Sequence, residues 1–415
     1  MSRASRAIRA LTVHLADRPV GVINRLAGDR HLFAFEPDYV DDPDRPTLSL
    51  SFKAQGGTLV TTPRSYTTRV SPFFSNLLPE GPLRTHLAAR AGVKPERELF
   101  LLAALGGDLP GAVVVTPQDH DDPNRPPDRA SVAAIDGAKP SDTVLRFSLA
   151  GVQLKFSAIL EATGGLTIPA DGMGGSWIVK LPSAHYPAVP ENEFVMLELA
   201  RAVGIEVPEI RLTAIDAISG LPHESAGLEG HALAVRRFDR RPDGSRIHME
   251  DFAQVFGLFP DDKYRRRSAA NIAAVLWAET DEESIREFVR RLAFTVLIGN
   301  GDMHLKNWSL LYPDGRRPKL SPAYDFVSTV VYIPNDQLSL GFGGRRSLSG
   351  ISREQVRRFA DTAGLPASLV WTGVREIAER TAEAWRTLGA RDVLPAKLRA
   401  RIEKQIETAT AKTEE

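Results

Sequence analysis

LIGNGDMHLKNWSLLY, residues 297–312, is the stretch on which the fold of this chain turns. The apolar run AFTVLI reads as the end of a buried helix, stopped at Gly299. Asp302, His304 and Asn307 then fall within six positions, followed by the apolar strand WSLLY. A short polar loop held between a buried helix and a buried strand is a rigid platform for chemistry. Downstream, PDGRRP (313–318) reads as a turn, so SLLY and KLSPAY can pair as a hairpin. Such a hairpin brings Asn307 to the same end as Asp325 of LSPAYDFV (320–327).

Asp302 and Asn307 are five apart. That is the spacing of the protein-kinase catalytic loop, where the aspartate accepts the proton of the attacking hydroxyl and the asparagine holds Mg²⁺. Asp325 would add a second hard oxygen ligand for the ion. Each piece alone is common in caps and turns; their joint placement on one hairpin carries the kinase reading. Lys180 in SWIVKLPS stands on an apolar strand, either snorkelling at a sheet edge or contacting phosphates in a nucleotide-binding lobe. The next helix offers Glu191 or Glu193 to fix it. FSLAGVQLKFSA (147–158) opens a strand through a turn at Gly151, where a nucleotide-covering loop belongs, and places the hydroxyl of Ser148 at that turn. AVRRFDRR (234–241) suits a connector between lobes, with backbone at Arg237 and Phe238 facing a base. KYRRRSAAN (263–271) is a short basic run fit for plain solvation, an acidic partner or a phosphate.

At 415 residues the chain should form about two or three domains or lobes. Lys plus Arg and Asp plus Glu number 52 each, and this zero balance excludes a polybasic protein that coats phosphate backbones. The absence of cysteine excludes disulfides, zinc-thiolate sites, iron–sulfur clusters and a cysteine nucleophile. It also fits a reducing cytosol. No run of about 18 apolar residues suggests a membrane span. The arginines of MSRASRAIRA run directly into a first strand rather than a presequence, so a cytoplasmic location is expected. LTVHLADRPVGVI reads as strand, turn, strand; LFAFEPDYV, LSLSFKA and GTLVTT read as further strands. Two short helices and a return strand follow over 76–115, and HMEDFAQVFGL should start a helix with Glu250 and Asp251 near its N-terminus. The expected organisation is an N-terminal subdomain (1–116), a Pro- and Asp-rich linker (117–143), the rest of a β-rich lobe (144–238) and a helical lobe with the catalytic loop (239–415).

SLAGVQLKFSA, WIVKLP, NEFVMLELARAVGIEVPE, RRFDR, MEDFAQVFG, IGNGDMHLKNWSLL and LSPAYDFVS, taken in order, resemble the blocks of HipA-type serine/threonine kinase toxins. FFSNLLPEGPLR and LLAALGGDLPGAVVV resemble that family's N-terminal subdomain. The resemblance covers nearly the whole chain. It implies an α+β, two-lobed protein-kinase-like fold, with a β-rich N-terminal lobe, an extra N-terminal subdomain and a mainly helical C-terminal lobe. It implies ATP and Mg²⁺ as cofactors, and a HipB-like helix-turn-helix antitoxin that supplies the main contacts to operator DNA. It further implies phosphorylation of a serine in a translation factor, with an aminoacyl-tRNA synthetase of glutamyl type the leading candidate, leading to growth arrest and persistence. Carried over, Asp302 is the base, Asn307 and Asp325 bind Mg²⁺, and Lys180 contacts ATP. Ala150, Gly151, Val152 and Gln153 cover the phosphates. Arg237 and Phe238 form the hinge, His304, Tyr324 and Asp325 line the nucleotide site, and Ser148 is the autophosphorylated serine whose modification inactivates the enzyme. Arg236 and Leu154 depart from the family's usual residues, which bears on substrate choice. The rival expectations are a non-catalytic pseudokinase corepressor and a kinase for a small molecule or lipid.

Overall fold

A computed structural model describes residues 8–118 apart from 55 and 63, then 155–161, 166–168, 175–221 and 227–414. The chain divides into two compact units. The first takes residues 1–152, 239–260 and 312–316; the second takes 153–238, 261–311 and 317–415. Residues 239–260, read from sequence as part of the helical lobe, thus cluster with the N-terminal unit.

In the first unit, strands β1 (Ala10–Leu15), β2 (Arg18–Leu26), β3 (Arg30–Phe35), β4 (Ser65–Thr67) and β5 (Val113–Pro117) form an antiparallel sheet in the order β4-β3-β2-β1-β5. Alternation sets its inner face: Leu11, Val13 and Leu15 are buried on β1, and Val113 and Val115 on β5. Helices α1 (Gly81–Arg90) and α2 (Glu98–Leu105) add Ala88, Leu99 and Leu102 to the same core. Phe33 and Phe74 meet edge to face at 4.8 Å within it.

Three strand expectations are corrected here: only the first part of LFAFEPDYV is a strand, and Pro37–Asp41 is a short helix. LSLSFKA holds a 3₁₀ turn, Leu50–Phe52, and GTLVTT contributes only the isolated bridge between Lys53 and Leu59. The cause is the fully buried Glu250, which accepts the Ser49 hydroxyl at 2.5 Å and the Leu50 N–H at 2.9 Å. A carboxylate takes the place of a neighbouring strand, and the backbone bends toward it. Glu250 itself lies in a short strand, His248–Asp251, so the helix starts only at Phe252. Asp251 caps it, accepting the Gln254 N–H at 2.9 Å.

Tyr312 donates a third hydrogen bond to Glu250 at 2.5 Å, yet burial still pushes this carboxyl up to about 7. A folded value above the unfolded one means that the fold prefers the protonated form. The stabilisation is complete below about pH 4.5 and is lost as pH rises through 7, a swing on the order of 3 kcal/mol. Glu250→Gln should flatten it. Amide exchange of β1, corrected for intrinsic rates, should show protection falling from pH 5.5 to 8.5 in the parent and staying level in the variant. Parallel profiles in the two proteins would refute the assignment.

The second unit opens with a sheet of six strands: β6 (Lys155–Leu160), β7 (Leu166–Thr167), β8 (Trp177–Lys180), β9 (Ile210–Ala214), β10 (Ile218–Ser219) and β11 (His231–Arg236). Their order is β10-β7-β6-β8-β11-β9, antiparallel except for β7 with β10. The register sets Lys155 opposite Lys180. Helix α3 (Val189–Ala202) packs on β9 and β11, with Val195, Met196 and Leu199 fully buried.

The remainder is mainly helical, with α4 (Ala269–Glu279), α5 (Glu282–Leu297), α6 (Arg353–Ala363), α7 (Ala367–Thr387) and α8 (Ala396–Glu414). Asp281 caps α5 by accepting the Ser284 N–H at 2.8 Å. Ile285, Phe288, Leu292 and Phe294 line its buried face, against which α7 packs. The fold class is therefore α+β, strand-rich toward the N-terminus and helical toward the C-terminus. Among the described residues, no helix is long and apolar enough to cross a membrane.

Candidate functional site

The buried end of α5 closes at Gly299, whose φ of +69° suits glycine. Asn300 comes next and is fully buried. Its side-chain oxygen accepts the Asp302 N–H at 3.0 Å, and its nitrogen donates to the Asp325 carbonyl at 3.2 Å. One amide thus joins the loop after α5 to the turn that carries Asp325. At Gly301 a Cβ would collide with the Asp336 carboxylate. The Gly301 N–H donates to the Thr329 hydroxyl at 2.7 Å, and its carbonyl accepts the Ser339 N–H at 2.9 Å. The loop is clamped before it reaches Asp302.

Beyond it, the Asp302 carbonyl accepts the His304 N–H at 2.8 Å and the Asn307 side-chain nitrogen at 2.9 Å. With the nitrogen so committed, the oxygen of Asn307 is the atom left to meet a ligand. Strand Ser309–Tyr312 pairs antiparallel with Lys319–Leu320. The Tyr324 hydroxyl meets the Ser309 hydroxyl at 2.5 Å and donates to the Lys306 carbonyl at 3.0 Å. The hairpin therefore sets 302–307 and 324–325 at one end, as the spacing predicts.

Lys180 is buried between two carboxylates. Its Nζ lies 2.5 Å from Glu193 Oε1 and also contacts Asp325 Oδ1. Glu191 instead pairs with His231 at 3.0 Å, which resolves the alternative left open by the sequence. Lys155 approaches Asp325 Oδ2 at 3.8 Å. Burial works against the charge on Lys180, but Asp325 and Glu193 outweigh it and hold the ammonium above its ordinary value. Burial likewise works against the Asp325 anion, while Lys155 and Lys180 hold it well below the usual range. Burial pushes Glu193 up, against the pull of Lys180. Asp325 also sits at φ +57°, a left-handed backbone for a non-glycine residue.

Asp302 is exposed, and Tyr264 donates a hydrogen bond to its Oδ1 at 2.8 Å. The Tyr264 ring stands edge-on to His304 at 5.0 Å, and the Lys263 carbonyl accepts the Leu305 N–H at 3.2 Å. The protein packed around the Asp302 carboxyl raises its pKa, Tyr264 and Lys263 oppose the rise, and Asp325 and Asp336 add to it.

Arg237 is buried, with its N–H on the Ser176 carbonyl at 2.8 Å and its guanidinium 3.5 Å from the Ser157 hydroxyl. The Phe238 ring lies 5.7 Å from that of Tyr324. Ser148, Ala150, Gly151, Val152 and Gln153 fall outside the described residues. Asn300, Tyr264 and Lys155 went unread in the sequence. The Gly-Asn-Gly context signals a constrained asparagine, and alternation along β6 sets Lys155 directly across from Lys180. Nothing local ties Tyr264 to a carboxylate 38 positions away.

Hard oxygens at Asn307 and Asp325 suit Mg²⁺, which takes one or two protein ligands and completes its shell with phosphate and water. Among the described residues, no group of three or more His, Asp or Glu side chains could hold a metal without such help.

The HipA N-terminal domain family matches residues 11–116, and the HipA-like C-terminal domain family matches residues 147–385. Y4dM of Sinorhizobium fredii, named as a candidate kinase, is 53% identical over 381 residues, 91% of each chain. The serine/threonine-protein kinase toxin HipA of Shewanella oneidensis is 27% identical over 412 residues, covering 90% of this chain and 88% of that one. The solved complex of Shewanella oneidensis HipA with HipB and operator DNA superposes with a TM-score of 0.73 at 25% identity, covering 97% of each chain.

Proposed function

The chain belongs to the HipA family of kinases, and from that footing we propose a toxin kinase that transfers the γ-phosphoryl of ATP to a serine of a protein. The observation that carries this reading is the joined set: Lys180 held between Glu193 and Asp325, and Asp302 fixed through Asn300 to the turn bearing Asp325. Phosphoryl transfer asks a protein mainly for position and charge neutralisation. Asp302 accepts the proton of the attacking hydroxyl. Lys180, oriented by Glu193, contacts the phosphates, with Lys155 beside it. Asn307 and Asp325 would hold Mg²⁺, which when bound neutralises charge on the transferred group. Phe238 and Tyr324 flank the base of the nucleotide, with Arg237 at the connector and His304 behind Asp302. The backbone of 150–153 would cover the phosphates, and Ser148 is the proposed autophosphorylation site. A HipB-like antitoxin is the proposed partner, bridging the chain to operator DNA. An aminoacyl-tRNA synthetase of glutamyl type is the first substrate to try.

The test is to incubate the purified chain with labelled ATP and a bacterial lysate. Label should appear on protein serine and disappear with Asp325→Asn. Label confined to the low-mass fraction would replace the protein-kinase reading with a small-molecule one.

The base role has a pH signature. Asp302 works deprotonated, so its raised pKa moves the acid limb of kcat/KM above that of an ordinary aspartate. Tyr264→Phe removes a hydrogen bond that favours the anion, so the limb should move to still higher pH. A downward or absent shift in the pH–rate profile would count against Asp302 as the base.

A further inference from the structure

Of the basic run 263–267, the site described so far uses Lys263 and Tyr264 but not Arg265, Arg266 or Arg267. It lies in the second unit beside Asp302 and is fastened there at two points. Tyr264 donates to Asp302 Oδ1 at 2.8 Å, and the Lys263 carbonyl accepts the Leu305 N–H at 3.2 Å. Arg265, Arg266 and Arg267 follow at once, all exposed. Within 261–267 four cations stand against two acids. One acid, Asp262, is engaged at 3.4 Å by Arg266, whose side chain remains 65% exposed. Arg266 sits at φ +64°, and α4 starts just beyond the run, where the Ser268 N–H donates to the Asn271 side chain at 2.9 Å. The arginines therefore follow directly on an anchored tyrosine and end at a helix cap.

The Tyr264 hydroxyl occupies one carboxylate oxygen of Asp302, the group that an acceptor hydroxyl must reach. A substrate serine meeting that oxygen would enter by displacing it. Residues flanking the serine then pass over Arg265–Arg267. Three extended residues span about 10 Å, so positions within roughly three of the serine lie against the loop. Guanidinium groups bind carboxylates in a planar, bidentate manner.

We propose that Arg265, Arg266 and Arg267 form a specificity surface selecting acceptor serines flanked by aspartate or glutamate, with Tyr264 holding the acceptor position until the substrate arrives. The inference rests on Asp302 being the catalytic base. A polyanionic nucleic acid is the competing occupant. The direct attachment of the loop to Asp302 favours a protein segment, because the charge is placed where the acceptor enters.

The experiment treats a dephosphorylated bacterial lysate with the full-length chain and ATP and maps the labelled serines by mass spectrometry. The readout is the labelling ratio of acid-flanked to neutral-flanked sites. The parent should favour acid-flanked serines at least about fivefold, as one or two exposed charge pairs allow. Arg265→Ala/Arg266→Ala/Arg267→Ala should bring the ratio near unity, and the triple change to Glu should turn preference toward Lys- and Arg-flanked serines. An unchanged ratio in both triple variants, with labelling still lost in Asp302→Asn, overturns this proposal and leaves the kinase reading standing. Labelling that persists in Asp302→Asn overturns both. Loss of a single-stranded RNA probe by the triple-alanine chain, without any change in site preference, makes the loop a nucleic-acid surface and also overturns the proposal.

Discussion

Asp302→Asn should lower phosphoryl transfer about 10³-fold, the usual contribution of a positioned general base, while leaving the fold in place. The side chain is nearly isosteric, and its backbone carries the structural duties: the N–H on Asn300 and the carbonyl that receives His304 and Asn307. An amide can still accept from Tyr264, so the loop keeps its shape. What is lost is the acceptor for the serine proton. A filter assay with labelled ATP reads the loss, and a circular dichroism melt within a degree or two of the parent shows that it is chemical. Growth arrest on expression should vanish with the activity. Parental rates in the purified variant would remove Asp302 from the mechanism.

The sequence showed the hairpin and its chemistry because both are local. A helix stop, a five-residue spacing and a Pro-Asp-Gly turn lie within thirty positions of each other, and short-range geometry fixes where Asn307 and Asp325 end up. Lys180 was legible for a similar reason, as the one charge on an apolar strand. Its partner was not: Glu191 and Glu193 are two apart on a helix and face different ways, and only packing of α3 on the sheet decides between them. Asn300 and Tyr264 were hidden more deeply. Their partners lie 25 and 38 positions away and are chosen by how the whole unit closes. The misread LSLSFKA has a cause of the same long range. LSLSFKA has the alternation of a strand, yet Ser49 and Leu50 are bonded to Glu250, some 200 positions on. Propensity yields where a buried carboxylate demands donors.

Lys180→Met should abolish transfer and also destabilise the second unit, by about 3–5 kcal/mol if the cost is that of breaking a buried ion pair. The methyl sulfide fills the space of the lysine stem but leaves Glu193 without its cation and strips Asp325 of its nearer one. Lys155, at 3.8 Å and about two-fifths exposed, offsets only part of the loss at Asp325. The fully buried Glu193 then takes up a proton more readily, so the melting temperature of the variant should rise more steeply than that of the parent as pH falls toward 5. Pairing the change with Glu193→Leu removes the orphaned carboxylate and should restore most of the lost stability at neutral pH, by the rule that a buried pair replaced by apolar groups costs little. It should restore none of the activity. Fluorescence melts of the four chains of this double-mutant cycle, read beside their rates, separate what Lys180 does for the fold from what it does for the phosphates. A Lys180→Met chain that is as stable as the parent would mean that the contacts to Glu193 and Asp325 carry no net energy. A double variant that regains transfer would mean that the phosphates are met by another cation, with Lys155 the nearest.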